Sequence, residues 1–160
     1  MSAGVARVVL GVLLALLPPA AVPAADGAPP GPIDYRPPVD APVVDGFRPP
    51  SGPYGPGNRG LEYATRPGTA VGAIGPGVVT FAGSVAGQLH VTVRHPDGLR
   101  SSYSFLATVD VAVDDRLERG GRVGSAGRRL HLGVRRGTTY LDPAALFGPR
   151  RARLVPVPGR

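Results

Sequence analysis

The chain has no cysteine, no tryptophan and no lysine; all 18 of its basic residues are arginine, and Asn58 is the single asparagine. Without cysteine there can be no structural disulfide and no lipid-attachment cysteine. Acidic residues are also scarce, at 11, leaving a net charge of +7 and a pI near 11.0. Such a balance favours polyanionic neighbours, which include nucleic acid, anionic polymers and lipid head groups. Long apolar runs are missing apart from residues 8–17, which are too few to cross a bilayer comfortably. No amphipathic stretch of ordinary helical length appears. What is abundant is punctuation, with 24 glycines and 20 prolines in 160 residues.

The amino terminus chooses between these neighbours. Arg7 supplies a positive start, residues 8–17 an apolar middle, and Val22-Pro23-Ala24 a small-x-Ala exit. Residues 1–25 are therefore expected to be a signal peptide, cut after Ala24 or Ala25, leaving no transmembrane anchor in the mature form. Export argues against a nucleic-acid role. Residues 26–44 carry Pro29, Pro30, Pro32, Pro37, Pro38 and Pro42 with few large apolar residues, and are expected to form an extended linker. A folded domain is expected over 45–147. A basic, disordered tail holding Arg150, Arg151, Arg153 and Arg160 is expected over 148–160.

Within the domain the pattern is short strands broken by turns. Short strands are expected over 71–74, 78–85, 89–94 and 100–105, and His95-Pro96-Asp97-Gly98 has the proline and glycine positions of a type I turn. Val109, Val111 and Val113 alternate, residues 122–125 resume the pattern, and 138–141 is short and extended. Asp142-Pro143 suits the N-cap and first position of a single helical turn. The expected fold is a compact, all-β antiparallel sandwich.

One strand stands out. In residues 129–135, Leu130, Leu132 and Val134 share one face, while Arg129, His131, Gly133 and Arg135 share the other. An imidazole beside two guanidiniums on the non-core face is either a site or a solvated basic surface. The surrounding order resolves it: Asn58-Arg59-Gly60-Leu61-Glu62, then Pro67-Gly68-Thr69-Ala70-Val71, Gly77-Val78-Val79, Tyr103-Ser104-Phe105-Leu106, Arg129-Leu130-His131 and Tyr140-Leu141-Asp142-Pro143. Over residues 46–147 this succession resembles the LytM/lysostaphin-type zinc endopeptidases, which cleave peptide cross-links of peptidoglycan.

The resemblance implies a LytM-type fold and a site with altered chemistry. The family's metal ligands fall on Asn58, Glu62 and His131, and its catalytic histidines on Phe105 and Arg129. A hydrolytic zinc needs three good ligands and an activated water. A neutral amide is a poor ligand, Arg129 places a permanent cation nearby, and Phe105 can move no proton. No catalytic residue and no cofactor are therefore expected. A degenerate metal site at Asn58, Glu62 and His131 is expected instead, with Tyr103, Arg129 and His131 lining a binding cleft and Arg129 paired with Glu62. The implied protein is a non-catalytic component of the cell envelope that binds peptidoglycan or anionic wall polymers, or regulates a wall hydrolase. The alternative is an active zinc metalloendopeptidase whose metal is rebuilt from Glu62, His131 and His90 or His95. His95 sits in a turn and His90 on an alternating strand, so each has a local role on residue pattern alone. Ser101, Ser102 and Ser104 show no Asp–His pairing in sequence, which disfavours a serine hydrolase.

Overall fold

The computed structural model describes residues 31–52 and 55–148. The expected signal peptide and all but the first residue of the expected tail lie outside the described residues. Among the described residues nine strands follow in order: β1 (Val43–Asp45), β2 (Gly60–Ala64), β3 (Thr69–Gly72), β4 (Gly77–Val85), β5 (Gln88–Arg94), β6 (Leu99–Val109), β7 (Arg116–Leu117), β8 (Arg122–Arg136) and β9 (Thr139–Leu141). A 3-10 turn over Pro143–Leu146 closes them. As anticipated, the Asp142 carboxylate caps it, accepting from the Ala144 N–H at 2.9 Å.

The all-β antiparallel class holds, but the layers are not two separate sheets. The strands form one continuous hydrogen-bonded path, β1-β2-β8-β6-β5-β4-β7, with β3 and β9 also pairing β8. The two stretches expected at 122–125 and 129–135 are a single strand of 15 residues. Along one edge β8 meets β3, β2 and β9 in turn; along the other it meets β6. The alternation at Val109, Val111 and Val113 does not make a strand. Only Val109 lies in β6, and the chain then turns, with Asp114 at φ 72°.

Period-two alternation sorts the faces. Leu61, Leu132, Tyr103 and Val91 are direct partners across β2, β8, β6 and β5, and all four are buried. Leu130, Val134, Val93 and Val79 extend the same core. The next row, one residue along each strand, necessarily faces the other way.

The proline-rich segment is not a free linker. Ile33, Tyr35 and Val39 are buried in the core, and the backbone of this strap is tied by Arg36 N–H to Ile74 O and by Gly72 N–H to Pro38 O. Tyr35 also donates its hydroxyl to Asp97 at 2.9 Å. The packed domain thus starts near residue 33 rather than 45. Prolines favour extended backbone without opposing burial, and three large apolar side chains suffice to dock such a strap.

Candidate functional site

The row facing away from the core is the site. Glu62 on β2 pairs with His131 on β8, His131 with Ser104 on β6, and Ser104 with His90 on β5. Four chemically active side chains from four adjacent strands therefore line one face, with direct partners about 4.5–5.5 Å apart. Together with Asp45, Asn58, Arg59 and Phe105 they line a cleft of about 380 Å³. Gly60 permits the close approach of β2 to β8, because a Cβ there would fall 2.0 Å from the Leu132 carbonyl oxygen.

Asn58 is buried and its amide is fully committed. Its Nδ2 donates to Asp45 Oδ2 at 3.1 Å, and its Oδ1 accepts from Gly60 N–H at 3.1 Å. Because a carboxylate faces one end and a backbone donor the other, the amide orientation is fixed by its partners. The same Oδ1 lies 3.1 Å from His131 Nε2. An amide oxygen only accepts, so Nε2 carries the proton and donates. Burial is the main influence holding the His131 pKa below its ordinary 6.5; Glu62 opposes this and Arg129 reinforces it. A neutral imidazole with its proton on Nε2 fits this network. Arg48 pairs with Asp45 and, chiefly through that hydrogen bond, keeps the carboxylate ionised to lower pH than usual.

Zinc does not suit these residues. Asn58 offers only a neutral amide oxygen, already engaged by Gly60 N–H and His131 Nε2, which leaves Glu62 as the one anionic donor of the trio. Among the described residues no group of three His, Asp or Glu side chains is arranged to hold a metal ion. His95, the other histidine considered for a rebuilt site, is in the core. It is 2 % exposed, with Nδ1 2.7 Å from Pro76 O and Nε2 2.8 Å from Ser101 Oγ.

Two further expectations are corrected. Tyr103 lines no cleft: it is fully buried, its hydroxyl accepts from Ile74 N–H at 2.8 Å, and burial pushes its pKa up to about 12. Arg129 does not pair with Glu62. Its guanidinium carbon lies 3.7 Å from the centroid of the Phe105 ring, and neither Arg129 nor Glu62 is in any of the four ion pairs among the described residues. A cation–π stack on an adjacent, rigid ring needs no chain extension across the cleft, which is why it wins.

Sequence reasoning gave His90 and Ser104 no joint role. His90 Nδ1 and Ser104 Oγ lie 2.9 Å apart inside the cleft. The signal was available in principle, since alternation puts His90, Ser104, His131 and Glu62 on non-core faces. Only the strand order made them neighbours.

A continuous antiparallel sheet carrying a cross-strand row of carboxylate, imidazole and hydroxyl groups, with the Asn58 amide bonded to it, defines a peptidase-like β domain. Residues 56–143 match the peptidase family M23, and the chain belongs to that family. Uncharacterised proteins of Mycobacterium tuberculosis and Mycobacterium bovis are 37% identical over 127 residues, covering 72% of this chain and 51% of each relative. The chain thus spans about half their length. Among solved structures, a zinc-containing peptidase from Vibrio cholerae superimposes with a TM-score of 0.59 at 25% identity, over 69% of this chain and 39% of that one. The catalytic domain of lysostaphin from Staphylococcus simulans shares the fold, with a TM-score of 0.55 at 24% identity over 66% of this chain and 90% of that one.

Proposed function

We propose that this M23 domain works at the cell envelope without zinc hydrolysis, holding peptidoglycan or an anionic wall polymer in the cleft or docking an active wall hydrolase there. One observation carries the reading: the Asn58 amide oxygen accepts a hydrogen bond from His131 Nε2–H, so a nitrogen that could ligate a metal is used in a hydrogen bond. The amide is held in turn by Asp45 and Gly60, so it is fixed in the orientation that accepts from His131. Phe105 and Arg129 offer no group able to shuttle a proton at neutral pH. Export is supported by the arrangement of residues 1–25, and the arginine-rich composition suits anionic polymers.

Elemental analysis of the purified, dialysed protein is expected to show no stoichiometric zinc. About one zinc per chain would establish the metalloendopeptidase reading instead. Co-sedimentation with isolated walls is expected, weakening as salt shortens electrostatic reach to about 8 Å at physiological ionic strength. Absence of binding at low salt would reject the wall-binding role.

A further inference from the structure

Next to the cleft, the sheet is interrupted. The β6–β8 ladder runs to Ser104 opposite His131 and restarts at Leu106 opposite Ala126. Between these pairs one residue of β6, Phe105, stands against four of β8, residues 127–130. Phe105 occupies this gap with φ 64°, a left-handed conformation that is costly for a bulky side chain, on the order of 1–3 kcal/mol. The strain aims its ring at Arg129, whose guanidinium lies on it. Phe105 therefore separates two cavities. On one side is the histidine cleft; on the other is a cavity of about 540 Å³ lined by Gly87, Leu89, Ala107, Arg128 and Arg129, among others.

The two cavities differ in charge. The histidine cleft contains Asp45 and Glu62 with a single arginine, Arg59, whereas the second cavity has two arginines and no acidic residue in its lining. Among the described residues, neither Arg128 nor Arg129 is in an ion pair. Among the described residues no hydrogen bond takes up the Arg129 N–H groups, and a guanidinium edge matches a carboxylate through two parallel hydrogen bonds. Leu89 and the Phe105 ring beside it offer apolar contact to a small aliphatic residue.

We propose that this gap is a carboxylate-binding site, in which Arg129, with Arg128 across the same cavity, holds the free C-terminal carboxylate of a short peptide. Phe105 is its positioning residue. That the peptide comes from the wall rests on the function proposed above; the carboxylate assignment does not. A protein could sediment with walls through net charge alone and lack this site, so the two readings fail separately.

The test uses the full chain and follows arginine Nε–H resonances by NMR during titration with N-acetyl-alanyl-alanine, its C-terminal amide, or inorganic phosphate. The acid is expected to shift the Arg129 resonance, and the amide is not. Phosphate is expected to bind at least about tenfold more weakly, since the apolar contacts are then unused. Arg129→Gln is expected to weaken acid binding about tenfold or more, the loss of a charge-assisted hydrogen-bond pair. Phe105→Leu is expected to weaken it less, and Arg116→Gln not at all. Equal binding of acid and amide, equal binding of phosphate, no shift with any probe, or an unaffected Arg129→Gln would each overturn the proposal. The acid–amide comparison needs no variant, so a folding defect in a mutant leaves the test decisive.

Discussion

At the scale of single residues, Asn58 joins the most groups at the site. It connects the Asp45 carboxylate, the Gly60 N–H and the His131 ring. Replacing it with alanine leaves the Gly60 N–H and the His131 Nε2–H short of a partner, each costing about 1–3 kcal/mol if it stays dry, while Asp45 keeps Arg48. Asn58→Ala is therefore expected to lower the urea midpoint clearly, while Arg116→Ala stays within about 0.5 kcal/mol of the parent. The histidines set a pH dependence of known sign. His95 and His131 both titrate below 6.5 in the fold, mainly because burial disfavours the charged ring. Between the folded and unfolded values the unfolded chain binds more protons, so acid favours unfolding. Their contribution is complete above 6.5 and is lost as pH falls through the folded values. Urea melts at pH about 8 and about 5 are expected to show the drop, and His131→Gln to remove part of it while His95 keeps the rest. The Asp45 and Asp110 carboxylates, whose pKa is lowered from 3.8 chiefly by hydrogen bonds from Arg48 and Arg122, act only at still lower pH.

At the scale of elements, the strap over residues 33–45 is the part whose role the composition disguised. Proline density marked it as linker, yet Tyr35 is 2 % exposed, packs edge-on against the His95 ring at 5.1 Å, and bonds Asp97 in the turn beside it. The strap therefore buttresses the His95–Ser101–Tyr103 hydroxyl chain from outside. Tyr35→Phe is expected to cost about 0.5–1.5 kcal/mol, one hydrogen bond, and Tyr35→Ala about 3–5 kcal/mol through the lost core volume. Deleting residues 31–44 along with the first thirty is expected to lower Tm markedly compared with deleting the first thirty alone. Equal Tm values for the two truncations would show that the strap contributes nothing to the domain.

At the scale of the whole molecule, the sheet shares the fold of M23 structures, and the family resemblance sets Asn58, Glu62 and His131 at the ligand positions. This gives a test of the alignment between the three positions. Asn58→His with Glu62→Asp restores two strong ligands beside His131 and removes the amide that holds its Nε2 proton. With Arg129→His added to remove the neighbouring cation, the variant is expected to bind zinc much more tightly than the parent, less so at low pH as the imidazoles protonate. Cleavage is not expected while Phe105 remains. A well-folded triple variant with no gain in zinc affinity would show that the three positions do not converge on a metal.

The sequence by itself determined the all-β class, most strand positions, the turn at His95–Gly98, the Asp142 cap and the family, because alternation, glycine and proline positions and N-cap chemistry are local properties of the chain. It also brought forward Asn58, Glu62 and His131 through ordered anchors along the chain. Tertiary structure decided the rest. Whether Tyr103 faced the cleft or the core depended on which face of β6 met β8, and whether the strap was free depended on a groove built by distant strands. The partner of Arg129 was decided by a ladder interruption that puts Phe105 in reach. The His90–Ser104 contact and the row from Glu62 to His90 exist only because β2, β8, β6 and β5 lie side by side, an order set by long-range pairing that no local pattern encodes.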